Sequence, residues 1–420
     1  MIQTPLHKKL FYLLIFLLPI NLGKHFIFNW AYVGGLLIDY LLPTIYFIDI
    51  LVFVILVLWI ADLIKNKKEL KYLTRLAVFQ FLAFYVFCVF LSVLSAERIG
   101  PAIYLFIRFF LYFSFSIYVF NNIDLSKDFP NIITLCSLSV GLLSILALLQ
   151  WVRQGAVFNN YLFFGEQPYT SATAQIATKS FFGIGKVPPY ATFRHPNAFA
   201  GYLSILLLWI STKKAWLARL LLVLGLIALF FTLSKTAWIA TLLGFLFIYL
   251  IQKNKRIGYT TTFLVTGLAI AGGILLVFIP NKDFLSYNPS LFRRVNFIMS
   301  TTESIRQKTL FGIGLNNNTV VIEKYLPPAH DIRFVQPVHN IFLLVASESG
   351  VLALLFFTLF IFSIVWLLIK RNNFLATLLV VSICQLLILG SFDHYVFTLQ
   401  QNYLLFWLVI GLSLTYSHKQ

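Results

Sequence analysis

Charge, acid and cysteine are what this chain has little of. Only 11% of its 420 residues are charged, where a soluble globular protein carries roughly 25%. Water alone therefore cannot solvate the fold. The three cysteines, Cys88, Cys136 and Cys384, sit inside apolar runs with no C-x-x-C, which argues against a disulfide framework or a cysteine zinc site. Acidic residues number 14 against 32 Lys and Arg. There is no D-x-D, no G-x-x-x-x-G-K-[ST] and no H-E-x-x-H. No acidic pair in the loops expected outside has obvious metal-site spacing. The expectation is chemistry without ATP, metal or cofactor. An internal repeat of the kind that marks many transporters is also missing.

What is abundant is apolar sequence, 60% of the chain. A membrane helix needs about 20 mostly apolar residues. About twelve runs qualify: Leu10–Leu22, Pro43–Ile60, Thr74–Ser95, Pro101–Phe120, Pro130–Val152, Asn197–Trp209, Trp216–Leu233, Lys235–Ile251, Thr260–Pro280, Asn340–Ile369, Phe374–Phe392 and Gln401–Ser417. The first and sixth are short, so the count ranges from ten to twelve. The first also looks like a signal peptide, but no A-x-A-like cleavage site follows it, so it reads as retained. The predicted fold is an all-α polytopic membrane protein with two long extracytoplasmic loops. Helices one to five occupy 1–152, the first loop 153–196, helices six to nine 197–280, the second loop 281–339 and helices ten to twelve 340–420.

Sorting the net charge of +18 by loop sets the orientation. Lys65, Lys67, Lys68, Lys71, Lys127, Lys213, Lys214, Lys253, Lys255, Arg256, Lys370 and Arg371 fall in alternate short loops, against Lys24, Arg98 and Lys235 in the others. The positive-inside rule then places both termini in the cytoplasm. The separation of the charges by apolar runs argues against a nucleic-acid partner. Long loops escape the rule, so the cations of the second loop need another reason. They are Lys282, Arg293, Arg294, Arg306, Lys308, Lys324 and Arg333.

Four clusters fall on the outer side in this topology. In Arg194-His195-Pro196-Asn197, Asn197 is a candidate helix cap and Arg194 sits near a helix N-terminus, a place that attracts anions. Snorkelling to lipid headgroups is the equal alternative. Arg293-Arg294 precedes a predicted surface helix over Arg294–Gln307 and then Gly312-Ile313-Gly314, glycines that suit a tight turn or close approach. His339-Asn340 opens a span that carries Glu348 about 12 Å deeper. Neutral imidazole there is a proton acceptor, and an intramembrane carboxylate is a functional candidate. The alternative has His339 capping the span and Glu348 paired with Arg108. Last, Asp393-His394 lies near Gln400 and Gln401. Neighbours on a helix do not face each other, so this pair reads either as a sugar-binding cluster or as a hydrogen-bonded hairpin.

With these residues the chain resembles the O-antigen ligase and polymerase superfamily of bacterial polytopic membrane glycosyltransferases. The likeness runs from about Pro130 to Gln401. It is carried by Phe193-Arg194-His195-Pro196-Asn197-Ala198-Phe199-Ala200, Thr232-Leu233-Ser234-Lys235-Thr236-Ala237-Trp238, Arg294 before Phe311-Gly312-Ile313-Gly314, and His339-Asn340 with Glu348-Ser349-Gly350. The resemblance implies metal-independent transfer from an undecaprenyl-diphosphate-linked glycan to a glycan, lipid or protein acceptor, at the outer face of the bacterial cytoplasmic membrane. It implies Arg194 and Arg294 as diphosphate ligands and His339 as the base. Arg293, Lys235, Asn197, Asn340, Glu348, Asp393 and His394 are the supporting candidates. Lys235 departs from the arginine common in the family and loses its bidentate fork. A transporter or lipid flippase is the reading from another class. It would place charge near the midplane, where intramembrane charges are few, chiefly Arg108 and Glu348, with Asp39 and Asp49 near span edges.

Overall fold

The computed structural model describes residues 4–67, 69–70, 77–275, 289–325 and 335–418. They form fifteen α-helices: α1 (Leu6–Leu17), α2 (Phe47–Asn66), α3 (Ala77–Leu94), α4 (Ile99–Asn122), α5 (Leu125–Arg153), α6 (Pro196–Ile210), α7 (Trp216–Phe231), α8 (Lys235–Lys253), α9 (Lys255–Leu275), α10 (Pro289–Gln307), α11 (Asn318–Val321), α12 (Ile341–Lys370), α13 (Phe374–Phe392), α14 (Tyr395–Thr398) and α15 (Gln400–His418). Besides short 3-10 turns, three small antiparallel ribbons complete the described fold. They pair β1 (Gly23–His25) with β4 (Thr44–Tyr46), β2 (Tyr32–Val33) with β3 (Leu36–Leu37), and β5 (Lys179–Phe181) with β6 (Ile184–Lys186).

Eight of the described helices are long and apolar enough to cross a bilayer: α2, α3, α4, α5, α8, α9, α12 and α13. Two more apolar helices, α6 and α7, are shorter. The chain is thus an α-helical, multi-pass membrane protein. The start of the span expected from Thr74, the end of the one expected to Pro280, and Lys68, Lys71, Lys282 and Arg333 lie outside the described residues. All three cysteines are free and buried.

Helix α6 explains its own shortness. Nearly all its residues are buried, so it runs inside the bundle rather than against lipid. Its 15 residues rise about 22 Å, less than the roughly 30 Å hydrocarbon core. The Arg194-His195 corner is thereby recessed into the protein. Polar groups bind this interior together, as membrane helices require without a hydrophobic drive between them. Trp209 Nε1 donates to Ser382 Oγ at 2.8 Å, Gln385 Nε2 to Ala240 O at 3.0 Å, and Asn402 Nδ2 to Ala198 O at 3.0 Å.

The two ends of the bundle differ. At one end the lysine-rich loops meet: Lys8 pairs with Asp128 at 2.8 Å, and Lys255 reaches the Asn372 carbonyl. The other end is built from interlocking segments. The stretch between α1 and α2 folds as two ribbons with Gly34-Gly35 at the β2–β3 turn, both at positive φ. Its Ala31, Val33, Ile38 and Leu41 pack against Phe297 of α10 and Ile322. Ile298 packs with Val338 and Leu344. The apolar face of α10, expected to lie along the membrane, is covered by protein.

Candidate functional site

A break in α12 sets the frame. Gly350 has φ +88°, and a Cβ there would lie 1.9 Å from Leu310 O. The chain segment before α11 fills the break: Ile313 N donates to Ser347 O at 2.8 Å, Gly314 N to Glu348 O at 3.0 Å and Val351 N to Thr309 O at 2.9 Å. Gly312 and Gly314, both at positive φ, allow that approach. The G-x-G and Glu-Ser-Gly stretches are thus two halves of one backbone joint that satisfies carbonyls freed by the break. Glu348 accepts from Asn318 N at 3.1 Å. It is not paired with Arg108, which bonds Asp49 at 3.2 Å and the Thr44 carbonyl.

Asn318 carries this joint to the loop before α12. Its Oδ1 accepts from Val338 N at 2.9 Å, and its Nδ2 bonds Thr301 and Ser347. Next comes His339, half-buried. Asn340, not His339, caps α12: its Oδ1 accepts from Phe342 N and Leu343 N, while its Nδ2 donates to Ser391 O at 3.0 Å. That last bond locks His339 to the end of α13.

There the helix stops. Asp393 is extended (φ −155°), so Asp393 and His394 do not follow helical spacing. His394 N donates to Asp393 Oδ1 at 2.9 Å. His394 Nδ1 meets Thr398 Oγ1 at 2.7 Å, and that hydroxyl gives its proton to His394 O. His394 therefore donates from Nδ1 and keeps a lone pair on Nε2. Its ring meets His339 at 4.8 Å between centroids, 72° apart in plane. The nitrogen and oxygen atoms of His339, Asp393 and His394 available to a metal all lie within 4.8 Å of one another. The structure thus brings together two supporting candidates and the expected base. The same set offers imidazole and carboxylate ligands of the kinds zinc or iron takes. His339 Nδ1 is buried with no hydrogen-bond partner.

Around this trio stand cations. Arg294 donates to Phe392 O at 2.8 Å, with half-buried Arg293 before it. Lys179 Nζ donates to Asn197 Oδ1 at 2.9 Å and to the carbonyls of Thr232 and Leu233. Asn197 Nδ2 donates onward to Asp393 Oδ2 at 3.1 Å. Asn197 is therefore a bridge rather than a cap; the cap of α6 is His195, whose Nδ1 accepts from Asn197 N at 3.1 Å. Lys235 is exposed at the first position of α8. The lysine that reaches the cluster is Lys179 of β5.

Arg194 lies against other partners. Its Nη2 donates to His25 Nε2 at 3.0 Å, since guanidinium cannot accept. Its guanidinium also faces the Tyr46 ring at 6.0 Å. Tyr40 joins the two halves of the site, its ring 5.2 Å from His394. His25, Tyr40, Tyr46 and Lys179 were missed in the sequence. The Gly34-Gly35 pair was the one available sign, a two-residue hairpin turn.

Electrostatics sorts these groups. Burial, then Arg294, holds the His339 imidazole well below its usual range. Burial also pulls His195 and His394 down to about 4, and lowers His25 with help from Arg194. Burial works against the Asp393 carboxylate, yet His339, His394 and Arg294 outweigh it and keep the group below the usual range. Burial drops Lys179 to about 8, Asp393 opposing. At neutral pH the site therefore holds neutral imidazoles, an ionised Asp393 and cations at Arg194, Arg294 and Lys179.

Comparison with curated proteins finds no match. Residues 220–358 match the family described as O-antigen ligase. The matched stretch runs from α7 into α12 and takes in Arg294, the Gly312–Gly314 turn, His339 and Glu348, while Arg194, Lys179 and Asp393 come from outside it. Over that third of the chain, the protein is similar to the O-antigen ligase family.

Proposed function

We propose that this chain is a glycosyltransferase of the cytoplasmic membrane that moves a glycan from undecaprenyl diphosphate to an acceptor hydroxyl at the outer face. The observation that carries the reading is His339: a neutral imidazole with an unpartnered buried nitrogen, set among cations, within an O-antigen ligase match. The acceptor hydroxyl gives its proton to His339 as its oxygen attacks the anomeric carbon, a role worth roughly 10²–10⁴-fold. The glycosidic bond to the diphosphate breaks, and the configuration inverts. Negative charge grows on the leaving diphosphate. Arg194 and Arg294 stabilise it, since fixed guanidinium groups act on such charge without reorganising. Lys179 adds a third cation, tethered through Asn197 to Asp393. Asp393 and His394 orient His339 and stabilise its protonated form. No step in this scheme needs a metal or cofactor.

The test is transfer by the purified protein from a lipid-diphosphate-linked glycan, with mass spectrometry of the product. Product extended on a second lipid-linked glycan marks a polymerase, product on a lipid core a ligase, and product on serine or threonine a protein O-oligosaccharyltransferase. Solute or lipid flux across reconstituted vesicles with no glycan product would overturn the reading in favour of a transporter.

A further inference from the structure

Helix α7 is short, yet it faces lipid. Its 16 residues rise about 24 Å, less than the roughly 30 Å hydrocarbon core. Unlike α6, it leaves one face uncovered. Leu220, Val223, Ile227 and Phe230 are exposed, and their spacing of three and four residues sets them in one stripe. That stripe does not stop where α7 ends, because the β5–β6 ribbon is docked there. Phe181 packs against Phe230, Phe231 and Trp151. Lys179 Nζ donates to the carbonyls of Thr232 and Leu233, as a cation at a helix C-terminus does. Beyond Phe181 the ribbon turns through Phe182-Gly183, both at positive φ. Phe182 is 89% exposed and Ile184 62%.

Turn chemistry does not account for Phe182. A two-residue hairpin turn with positive φ at both centres favours Asn-Gly or Asp-Gly, and a bulky residue at positive φ is strained. Phe182 has φ +49°. In water its ring would add exposed apolar surface to that strain. Hydrocarbon reverses the sign, since taking apolar surface out of water is favourable. The shortfall of α7 against the bilayer, about 6 Å, falls at a helix end, and at one end the ribbon stands. We infer that the β5–β6 tip, Phe182 and Ile184, is immersed in the bilayer leaflet on the His339 side and completes the lipid-facing surface that α7 begins. Continuity with the exposed stripe of α7 selects lipid rather than a protein as the occupant. Strand β5 also sends Lys179 to Asn197, which bonds Asp393. The leaflet thereby holds the strand that supplies a cation to the cluster. The inference stands apart from the glycosyltransferase reading and would survive its failure.

The test is a depth measurement on the full chain in vesicles of phosphatidylethanolamine and phosphatidylglycerol. Phe182→Cys and Ile184→Cys are each labelled with a polarity-sensitive dye. The native cysteines are buried, and labelled wild type gives the background. Ser171→Cys, exposed in the same loop, is the reference in water. Dyes replacing Phe182 and Ile184 should emit at shorter wavelength than the dye replacing Ser171 and resist quenching by aqueous iodide. Lipid nitroxides near the headgroup should quench them more than nitroxides at the bilayer centre, as fits a depth of about 5–10 Å. Phe182→Asn suits the turn and removes the larger apolar anchor. In that background the dye replacing Ile184 should lose nitroxide quenching and gain access to iodide. Iodide quenching at both tip positions equal to that at the reference would overturn the inference. So would short-wavelength emission that lipid nitroxides leave unquenched, which marks a covering protein or a second copy. Quenching of the Ile184 dye that Phe182→Asn leaves unchanged would equally count against lipid as the reason for a phenylalanine in this turn.

Discussion

The rings of His339 and His394 meet edge to face, 4.8 Å between centroids, although 55 residues part them in the chain. One lies before α12 and the other after α13, and the Asn340–Ser391 bond fixes their distance. Replacing His339 by Ala should lower transfer by roughly 10²–10⁴-fold with little change in donor affinity. His394→Ala should cost less, since His394 acts on His339 rather than on substrate. Normal turnover by His339→Ala at unchanged melting temperature would remove the base assignment.

The pH dependence follows from burial. His339 is held well below 6.5, so the basic form persists in mild acid and kcat/KM should not fall between pH 8 and 6. An acid limb at the ordinary histidine value would contradict this. Stability carries the same sign. His394 and His195 take up protons near 6.5 when unfolded but only at about 4 when folded. Their contribution is complete above 6.5 and drains away as pH falls toward 4. Melting temperature should drop across that window, and His394→Gln should flatten the slope.

Lys179 sets the alkaline side. Burial brings its ammonium to about 8, so transfer should decline as pH rises through that value. Lys179→Arg should hold its charge and shift the decline upward. An alkaline limb that stays in place in Lys179→Arg would show that another group causes it.

Arg194 and Arg294 should behave differently from exposed cations. Each Gln substitution should cost donor use about 10–100-fold, the range for charged hydrogen bonds. Lys should fall between, keeping charge but not the fork. Steady-state kinetics with varied donor would measure this. Arg306, largely exposed, is the comparison and should tolerate Gln.

Much of this arrangement was legible in the chain because each site segment is a polar interruption of an apolar run. The segments around Arg194, Arg294, His339 and Asp393 stand out for that reason. What could not be read is tertiary. Lys179 becomes a site cation only because β5 brings it over the α7–α8 turn, and nothing local marks that. Asn197 looks like a cap because asparagine favours that position. Pro196 at the first helical position moves the cap back to His195 and frees Asn197 to bridge. Adjacent Asp393 and His394 could not be paired while a helix was assumed. The extended backbone at Asp393 removes that assumption.

The joint at Gly350 yields the sharpest structural test. Gly350→Ala adds a Cβ 1.9 Å from Leu310 O at a φ of +88°, strained both sterically and conformationally. The loop that fills the break must then withdraw. That unpairs the carbonyls of Ser347 and Glu348 and loosens Asn318, which holds Val338 beside His339. A loss above about 2 kcal/mol is expected, the scale of a backbone change compounded by lost buried hydrogen bonds. Gly272 on α9 is the matched control: a Cβ there meets open space, so Gly272→Ala should be neutral or stabilise by up to about 1 kcal/mol through helix propensity. Melting curves of both variants in one detergent separate the outcomes. Equal stability would mean that the break in α12 does not depend on glycine, and the G-x-G and Glu-Ser-Gly stretches would then need a chemical explanation instead of a structural one.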